Sequence, residues 1–416
     1  MKPLNYLISF LCVLSLSGAA LAKPGGVPPH GLNPQAEQEL RDSQVDKYVG
    51  KFRPVFSEEV GQGWTKHTFD PGVTLDGPLC VAGTPYSVFT KQGNPAKLLI
   101  MLQGGGACWQ GFYNCNIRSE DQEAPPAPDQ QLGIWDGQSG LNPIDDWSVV
   151  YMPYCDGSVF SGDNDVVDFE WQAFIEGALE LPPGTGPFVR FHRGLRNVTA
   201  GIDLAIEMFP RAGRILVAGS SAGGVGASSF APFLARMAYG NNKKLMVFND
   251  AGPVAINLAD TGGIAARAED WKFGQFYPAS CDACDEFGQG TELIKWRLAN
   301  DSTIREAFYS TDFDTTNRFF VGLLPTVAPD DPRFALQFLI TGLQYRNLII
   351  GEHGAIHALF PERYKTYIRA GQTSHTALQT WDFYQSANGV PLYDWLGDFI
   401  VPRPSWIDIV EELPAP

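Results

Sequence analysis

The stretch Arg214-Ile-Leu-Val-Ala-Gly-Ser-Ser-Ala-Gly-Gly-Val-Gly-Ala227 constrains the fold more than any other part of the chain. A short apolar run ends abruptly in Gly219-Ser220-Ser221-Ala222-Gly223, a G-x-S-x-G sequence. Residues 226–239, rich in Ala and Phe with Pro232 near the start, are predicted to form the helix that follows. Strand, sharp turn and helix form the setting that lifts a serine hydroxyl clear of the carboxyl end of a strand. A serine hydroxyl is a poor nucleophile until a base takes its proton, so the chemistry needs an accessible Oγ and little bulk around it. Gly219 and Gly223 supply the space. A plain glycine-rich turn has the same appearance, so the reading depends on what else the chain carries.

Other apolar runs extend the pattern. Lys97–Leu102 and Trp147–Met152 read as strands buried on both faces, Gly194–Phe209 as a helix, and Arg214–Ala218 as the strand before the serine. Lys244–Asn249 is a further strand closed by Asp250, Gly290–Asn300 a helix, Ala307–Ser310 and Tyr364–Arg369 strands, and Gly389–Leu396 a closing helix. This βαβα succession predicts an α/β fold with a mostly parallel central sheet flanked by helices, with loop and helical insertions. Before it, Lys66–Phe69 and Tyr86–Thr90 suggest a hairpin or meander, so that ordered structure begins near Trp64. Gln103-Gly-Gly-Gly-Ala-Cys-Trp109 leaves the Lys97–Leu102 strand directly. Three glycines there free backbone N–H groups to point at a ligand, which makes Gly105, Gly106 and, after the serine, Ala222 the candidate donors to an oxyanion.

The N-terminus sets the compartment. Lys2, the apolar run Leu4–Leu16 and Ala20-Leu-Ala22 read as a secretory signal peptide over residues 1–22. A flexible Pro- and Gly-rich leader is expected over 23–63 and a single catalytic domain over 64–416. No other segment approaches the length of a membrane span. Export leaves Cys80, Cys108, Cys115, Cys155, Cys281 and Cys284, an even set in an oxidising compartment. Local pairing gives Cys108–Cys115 and Cys281–Cys284 with Cys80–Cys155 remaining, although spacing alone admits other connectivities. Cys281-x-x-Cys284 lacks a second half for zinc, and the acidic run Asp163–Asp168 reads as a solvated loop rather than a calcium site. Glu120–Leu132 reads as a Pro-rich surface loop. A net charge of −16 argues against nucleic acid and anionic membrane surfaces as partners, and an anionic polymer would need a locally basic groove or partial esterification.

A base and an acid complete the serine chemistry. His30 lies in the leader, while His67 and His192 precede the serine, which leaves His353, His357 and His375. His375 follows the last strand, where a base can reach over a serine. His353 and His357 stand four residues apart and are expected to be structural. Asp314, Asp312 and Asp250, all near strand ends, compete as the acid that orients the base.

Leu102-Gln-Gly-Gly-Gly-Ala-Cys-Trp109, Gly219-Ser-Ser-Ala-Gly-Gly224, Asn249-Asp-Ala-Gly252, His375-Thr, Phe383-Tyr and Gly389-Val-Pro-Leu-Tyr-Asp-Trp395 together resemble the pectin acetylesterase family, which includes polysaccharide deacetylases and Notum-type carboxylesterases. The resemblance spans residues 65–398 and implies an α/β-hydrolase-like fold stapled by disulfides. It implies Ser221 as nucleophile, His375 as base, and Gly105, Gly106 and Ala222 around the oxyanion. Thr311-Asp-Phe-Asp314 aligns with the family's acid segment and puts Asp314 in register, with Asp312 as the alternate. Gln103 departs from the Glu that many relatives carry there. The implied activity is removal of O-acetyl groups from a pectin-like polysaccharide or a small ester by an exported monomer, without cofactor or metal. The alternatives are a fatty-acyl carboxylesterase acting on lipidated protein or lipid, and a non-catalytic carbohydrate-binding relative.

Overall fold

The computed structural model describes residues 31–70, 76–118, 131–256, 261–322 and 339–413. The first strands are β1 (Phe56–Gly61), β2 (Trp64–Phe69), β3 (Tyr86–Lys91) and β4 (Asn94–Leu102). A hairpin of β5 (Gly106–Trp109) and β6 (Phe112–Cys115) follows. Next come β7 (Trp147–Met152), a second hairpin of β8 (Asn164–Val167) and β9 (Val189–His192), then β10 (Arg214–Ser220), β11 (Lys244–Asp250), β12 (Arg305–Thr311) and β13 (Tyr364–Arg369). A two-residue ribbon, β14 (Ser386–Ala387) with β15 (Val390–Pro391), precedes β16 (Ile409–Val410). The helices are α1 (Pro34–Asp42), α2 (Phe169–Ala178), α3 (Gly194–Met208), α4 (Ala222–Ser228), α5 (Ala231–Tyr239), α6 (Thr261–Trp271), α7 (Thr291–Asn300), α8 (Thr315–Val321), α9 (Gly342–Leu359) and α10 (Leu392–Ile400).

Ten strands form one sheet in the order β1-β2-β3-β7-β4-β10-β11-β12-β13-β16. From β7 to β16 every neighbour is parallel, whereas β1, β2, β3 and β7 pair antiparallel. The sheet is therefore mixed, and the expectation of a mostly parallel one holds only for its larger part. The parallel strands are apolar throughout because both faces are covered. Along β4, Leu98, Ile100 and Leu102 enter one core with side chains of α1, α3, α5, α7 and α9. Leu99 and Met101 enter the other with α10. Helix α10 turns Leu392, Trp395, Leu396, Phe399 and Ile400 inward, each burial contributing roughly 1.5–3 kcal/mol.

The six cysteines after Cys12 pair as Cys80–Cys155, Cys108–Cys115 and Cys281–Cys284. Three expectations need correction. The leader expected over 23–63 is built into the fold from residue 31 onward: Leu32, Ala36, Leu40, Val45 and Phe52 are buried in the main core, and Asn33 caps α1. The apolar spacing of that segment is helical, and its Pro and Gly content masked it. The helix expected over 226–239 is two helices, α4 and α5, because Pro232 has no N–H to give and fits only a first turn. Asp163–Asp168 is not a solvated loop. Asp163 and Asp168 are buried and paired with Arg196 and Arg190, as desolvated carboxylates must be. The expected signal peptide and nearly all of the loop expected at Glu120–Leu132 lie outside the described residues.

Candidate active site

Ser221 stands at the turn between β10 and α4 with φ 56° and ψ −120°. A side chain held at positive φ is a strained placement that needs support from its surroundings. The flanking glycines explain how the turn closes: a Cβ at Gly219 would sit 2.1 Å from the Gly223 carbonyl oxygen, and one at Gly223 would sit 2.0 Å from that of Leu102. The Ser221 N–H donates to the Asp250 carbonyl (2.8 Å), which fixes the elbow to the end of β11. Gly104 packs against Ser221 so closely that its Cβ would come within 2.9 Å of the serine Cβ. The loop Gln103–Gly106 thus lies directly over the serine.

The segments after β12 and β13 run side by side. Phe313 N–H donates to Gln372 O, Thr315 N–H to Thr373 O, and the Thr311 hydroxyl to Ser374 O. That pairing brings His375 Nδ1 to 2.7 Å from Asp314 Oδ2. Asp314 is fully buried and also caps α8, accepting from Asn317 N–H at 2.9 Å. With Nδ1 so engaged, Nε2 is the nitrogen left to exchange a proton, and it is buried without a hydrogen-bond partner. Asp312 faces elsewhere: it accepts from Arg346 Nη1 (2.6 Å) and from Gly371 N–H (2.7 Å). Asp250 receives Ser220 and the amides of residues 377 and 378. His353 stacks on Phe308 and bonds to Tyr364, and His357 bonds to the Tyr364 carbonyl, so both support β12 and β13.

Two cavities meet at Ser221. An open cleft of about 820 Å³ is lined by Gln103, Gly105, Gly106, Asn114, Thr316, Gln379 and His375, among others. Beside it, an apolar cavity of about 90 Å³ is walled by Trp109, Val225, Ile264, Trp271 and Phe320, with Gly106, Ser221 and Ala222 at its mouth. The predicted residues Ser221, His375, Gly105 and Gly106 therefore line one cleft, Ala222 lines the adjoining cavity with Ser221 and Gly106, and Asp314 bonds to the imidazole.

Sequence reasoning missed the cavity wall. Trp271 and Arg267 come from α6, in a stretch without a strand-like run, and Trp109 comes from the disulfide-closed hairpin. A buried ionic cluster ties these pieces together: Arg190 donates to Asp168, Asp270 and His192, and Gln110 N–H donates to Asp270. Burial, with Arg190 alongside, pushes His192 down to about 3, so it accepts from Arg190 at Nε2 and donates from Nδ1 to Asp156 O. The spacing of Arg190, Arg193 and Arg196 against the aspartates of 163–168 was the signal available in the sequence.

The pectinacetylesterase family model matches residues 67–262, a span holding β4, the Gln103–Gly106 loop and the serine elbow. Over these residues the chain is similar to that family. That likeness implies a carboxylesterase acting on acetyl esters. His375 and Asp314 lie beyond the matched residues. A search among curated proteins returns no match. Among the described residues, no helix is long and apolar enough to cross a membrane, and no cluster of His, Cys, Asp and Glu is arranged to hold a metal.

Proposed function

We propose that this chain is an exported serine esterase of α/β-hydrolase type that removes O-acetyl groups from a polysaccharide. The observation that carries the reading is the meeting of two cavities of different size at a strained serine: a small apolar one sized for an acyl group and a wide open cleft, with amides and hydroxyls among its lining, sized for a sugar. In this mechanism Ser221 Oγ attacks the ester carbonyl as His375 Nε2 takes its proton, and Asp314 holds the imidazole and stabilises its charge. Amides of Gly105, Gly106 and Ala222 receive the oxyanion. His375 returns the proton to the departing sugar hydroxyl. Water, deprotonated by the same imidazole, then frees the acid from the acyl-enzyme. The chemistry requires no cofactor.

Turnover of p-nitrophenyl acetate tests this. Ser221→Ala and His375→Ala should each lose at least about 10³-fold in kcat, and equal rates in Ser221→Ala would remove the nucleophile assignment. Acetate release from acetylated pectin, xylan and mannan then identifies the polymer. A second reading has an observation of its own. The apolar cavity exceeds the room of one methyl group, since about 10–15 Å³ of such space already holds a water, so a longer acyl chain fits as well. A profile of p-nitrophenyl esters from acetyl to octanoyl separates the two: an optimum at acetyl supports deacetylation, and one at six or more carbons supports the longer chain.

A further inference from the structure

We propose that Asp250 is a positioning residue that locks the serine elbow to the segment carrying the base. This rests on the serine-esterase reading of the site. Asp250 ends β11, in register between Ser220 on β10 and Tyr309 on β12, and is fully buried. Its backbone carbonyl receives the Ser221 N–H (2.8 Å). Its side chain reaches the other way: Oδ1 accepts from Ala377 N–H (2.8 Å), and Oδ2 accepts from Leu378 N–H (3.0 Å) and from Ser220 Oγ (2.6 Å). One residue thus holds the nucleophile by its main chain and, by its carboxylate, the backbone two and three residues beyond His375. The Asp314–His375 bond orients the imidazole ring. The bonds of Asp250 set how far that ring stands from Ser221.

The arrangement favours the ionised carboxylate. The Ala377 and Leu378 N–H groups can only donate, so an amide would turn a donor of its own toward one of them, and a protonated carboxyl keeps all three bonds only if the Ser220 hydroxyl reverses to accept. Among the described residues no Lys or Arg side chain bonds to the group. Burial raises its pKa to about 6, opposed by the hydrogen bonds from Ser220, Leu378 and Ala377 and by the charge of His375. The titratable groups facing Asp250 are His375, from the segment after β13, and Tyr309, from β12. Burial holds the Tyr309 phenol well above its ordinary value, so it stays neutral, and β10 presents only Ser220. Two protonations therefore stop the reaction on the acid side, that of the base and that of its positioner.

The pH dependence of kcat/KM on p-nitrophenyl acetate tests this in the full chain. The wild-type acid limb should fall with a limiting slope of about 2 on logarithmic axes. Asp250→Asn should lower kcat about 10–100-fold at pH 8, leave KM within about 2-fold, and reduce the slope to about 1. Labelling of Ser221 by a fluorophosphonate should slow by the same factor as kcat. A role confined to fold stability would leave the slope unchanged, and that result overturns the proposal, as does wild-type kcat in Asp250→Asn. If Asp250→Asn does not fold, Ser220→Ala carries the test. Removing a donor to the ionised form should move the acid limb to higher pH, and an unmoved limb overturns the proposal. Failure of Ser221→Ala to lose activity sinks the esterase reading itself, so the two failures are distinguishable.

Discussion

Asp312 and Asp314 stand two residues apart on one turn, yet their surroundings assign them opposite tasks. Asp314 meets His375, whereas Asp312 is locked to Arg346 and the Gly371 amide with no exposed surface. Asp314→Asn should therefore cost kcat on the order of 10⁴-fold while the protein stays folded. Asp312→Asn should leave kcat within about 10-fold but destabilise by roughly 3–5 kcal/mol, since it strands a buried guanidinium. Denaturant melts and p-nitrophenyl acetate rates on both variants check the pair, and an interchange of the two effects would reassign the acid. The sequence narrowed the acid to three aspartates by their strand-end positions but could not separate them, because the choice is made by Arg346 and by Ser220, far away in the chain. Asp250 illustrates a second consequence at this scale. Its folded-state pKa lies above the unfolded value, so the folded state holds the proton through the interval from about 4 to 6. Its contribution to stability therefore falls as pH rises through that window, by on the order of 2–3 kcal/mol, in the direction opposite to activity. Asp250→Asn has no such proton to lose, so its stability relative to wild type should improve between pH 4 and pH 7 in urea titrations. A constant difference would mean that the carboxyl is not perturbed.

At the level of elements, the parallel strands were legible because each is a continuous apolar run, and such runs in alternation with helices have few other solutions. The β5–β6 hairpin and α6 were not, since their roles come from packing around Ser221 rather than from any periodicity of their own. Disulfides divide along the same line. Cys80–Cys155 closes 75 residues and joins the segment before β3 to the segment after β7, whereas Cys108–Cys115 closes only 7 and staples the hairpin bearing Gly106 and Trp109. Chain entropy alone gives about 4 kcal/mol for the long bridge and about 2 for the short one. Cys80→Ala/Cys155→Ala should thus show the larger drop in melting temperature with kcat/KM largely kept in the surviving folded protein. Cys108→Ala/Cys115→Ala should lose less stability but more activity, because the loop proposed to receive the oxyanion is pinned through Asn116, the residue after Cys115, whose N–H donates to Gly105 O. Calorimetry together with p-nitrophenyl acetate rates measures both, and a short-bridge variant with full activity would show that the loop holds its shape without the hairpin.

For the whole molecule the deciding quantity is charge. The chain carries −16, and none of the described residues lining the open cleft is Lys or Arg. What lines it is amide, hydroxyl and phenyl: Gln103, Asn114, Thr315, Thr316, Gln379, Phe319 and Phe320. Amides and hydroxyls hydrogen-bond sugar hydroxyls, but they offer no counter-charge to a row of uronate carboxylates. The two stretches 119–130 and 323–338 add six acidic residues and one arginine to the chain. A polyuronate backbone should therefore approach against a repulsive field, while a neutral or fully methyl-esterified polymer should not. Screening distinguishes the two cases, because the Debye length shrinks from about 30 Å at 0.01 M salt to about 3 Å at 1 M. We expect kcat/KM for acetate release from acetylated, de-esterified pectin to rise several-fold as sodium chloride increases from about 0.01 to 0.5 M. Release from acetylated mannan or from highly methyl-esterified pectin should change by less than about 2-fold over the same range, and p-nitrophenyl acetate should track the neutral polymers. A rate on the anionic polymer that falls with salt would mean that an attractive basic surface, and not the neutral cleft, governs how the substrate arrives.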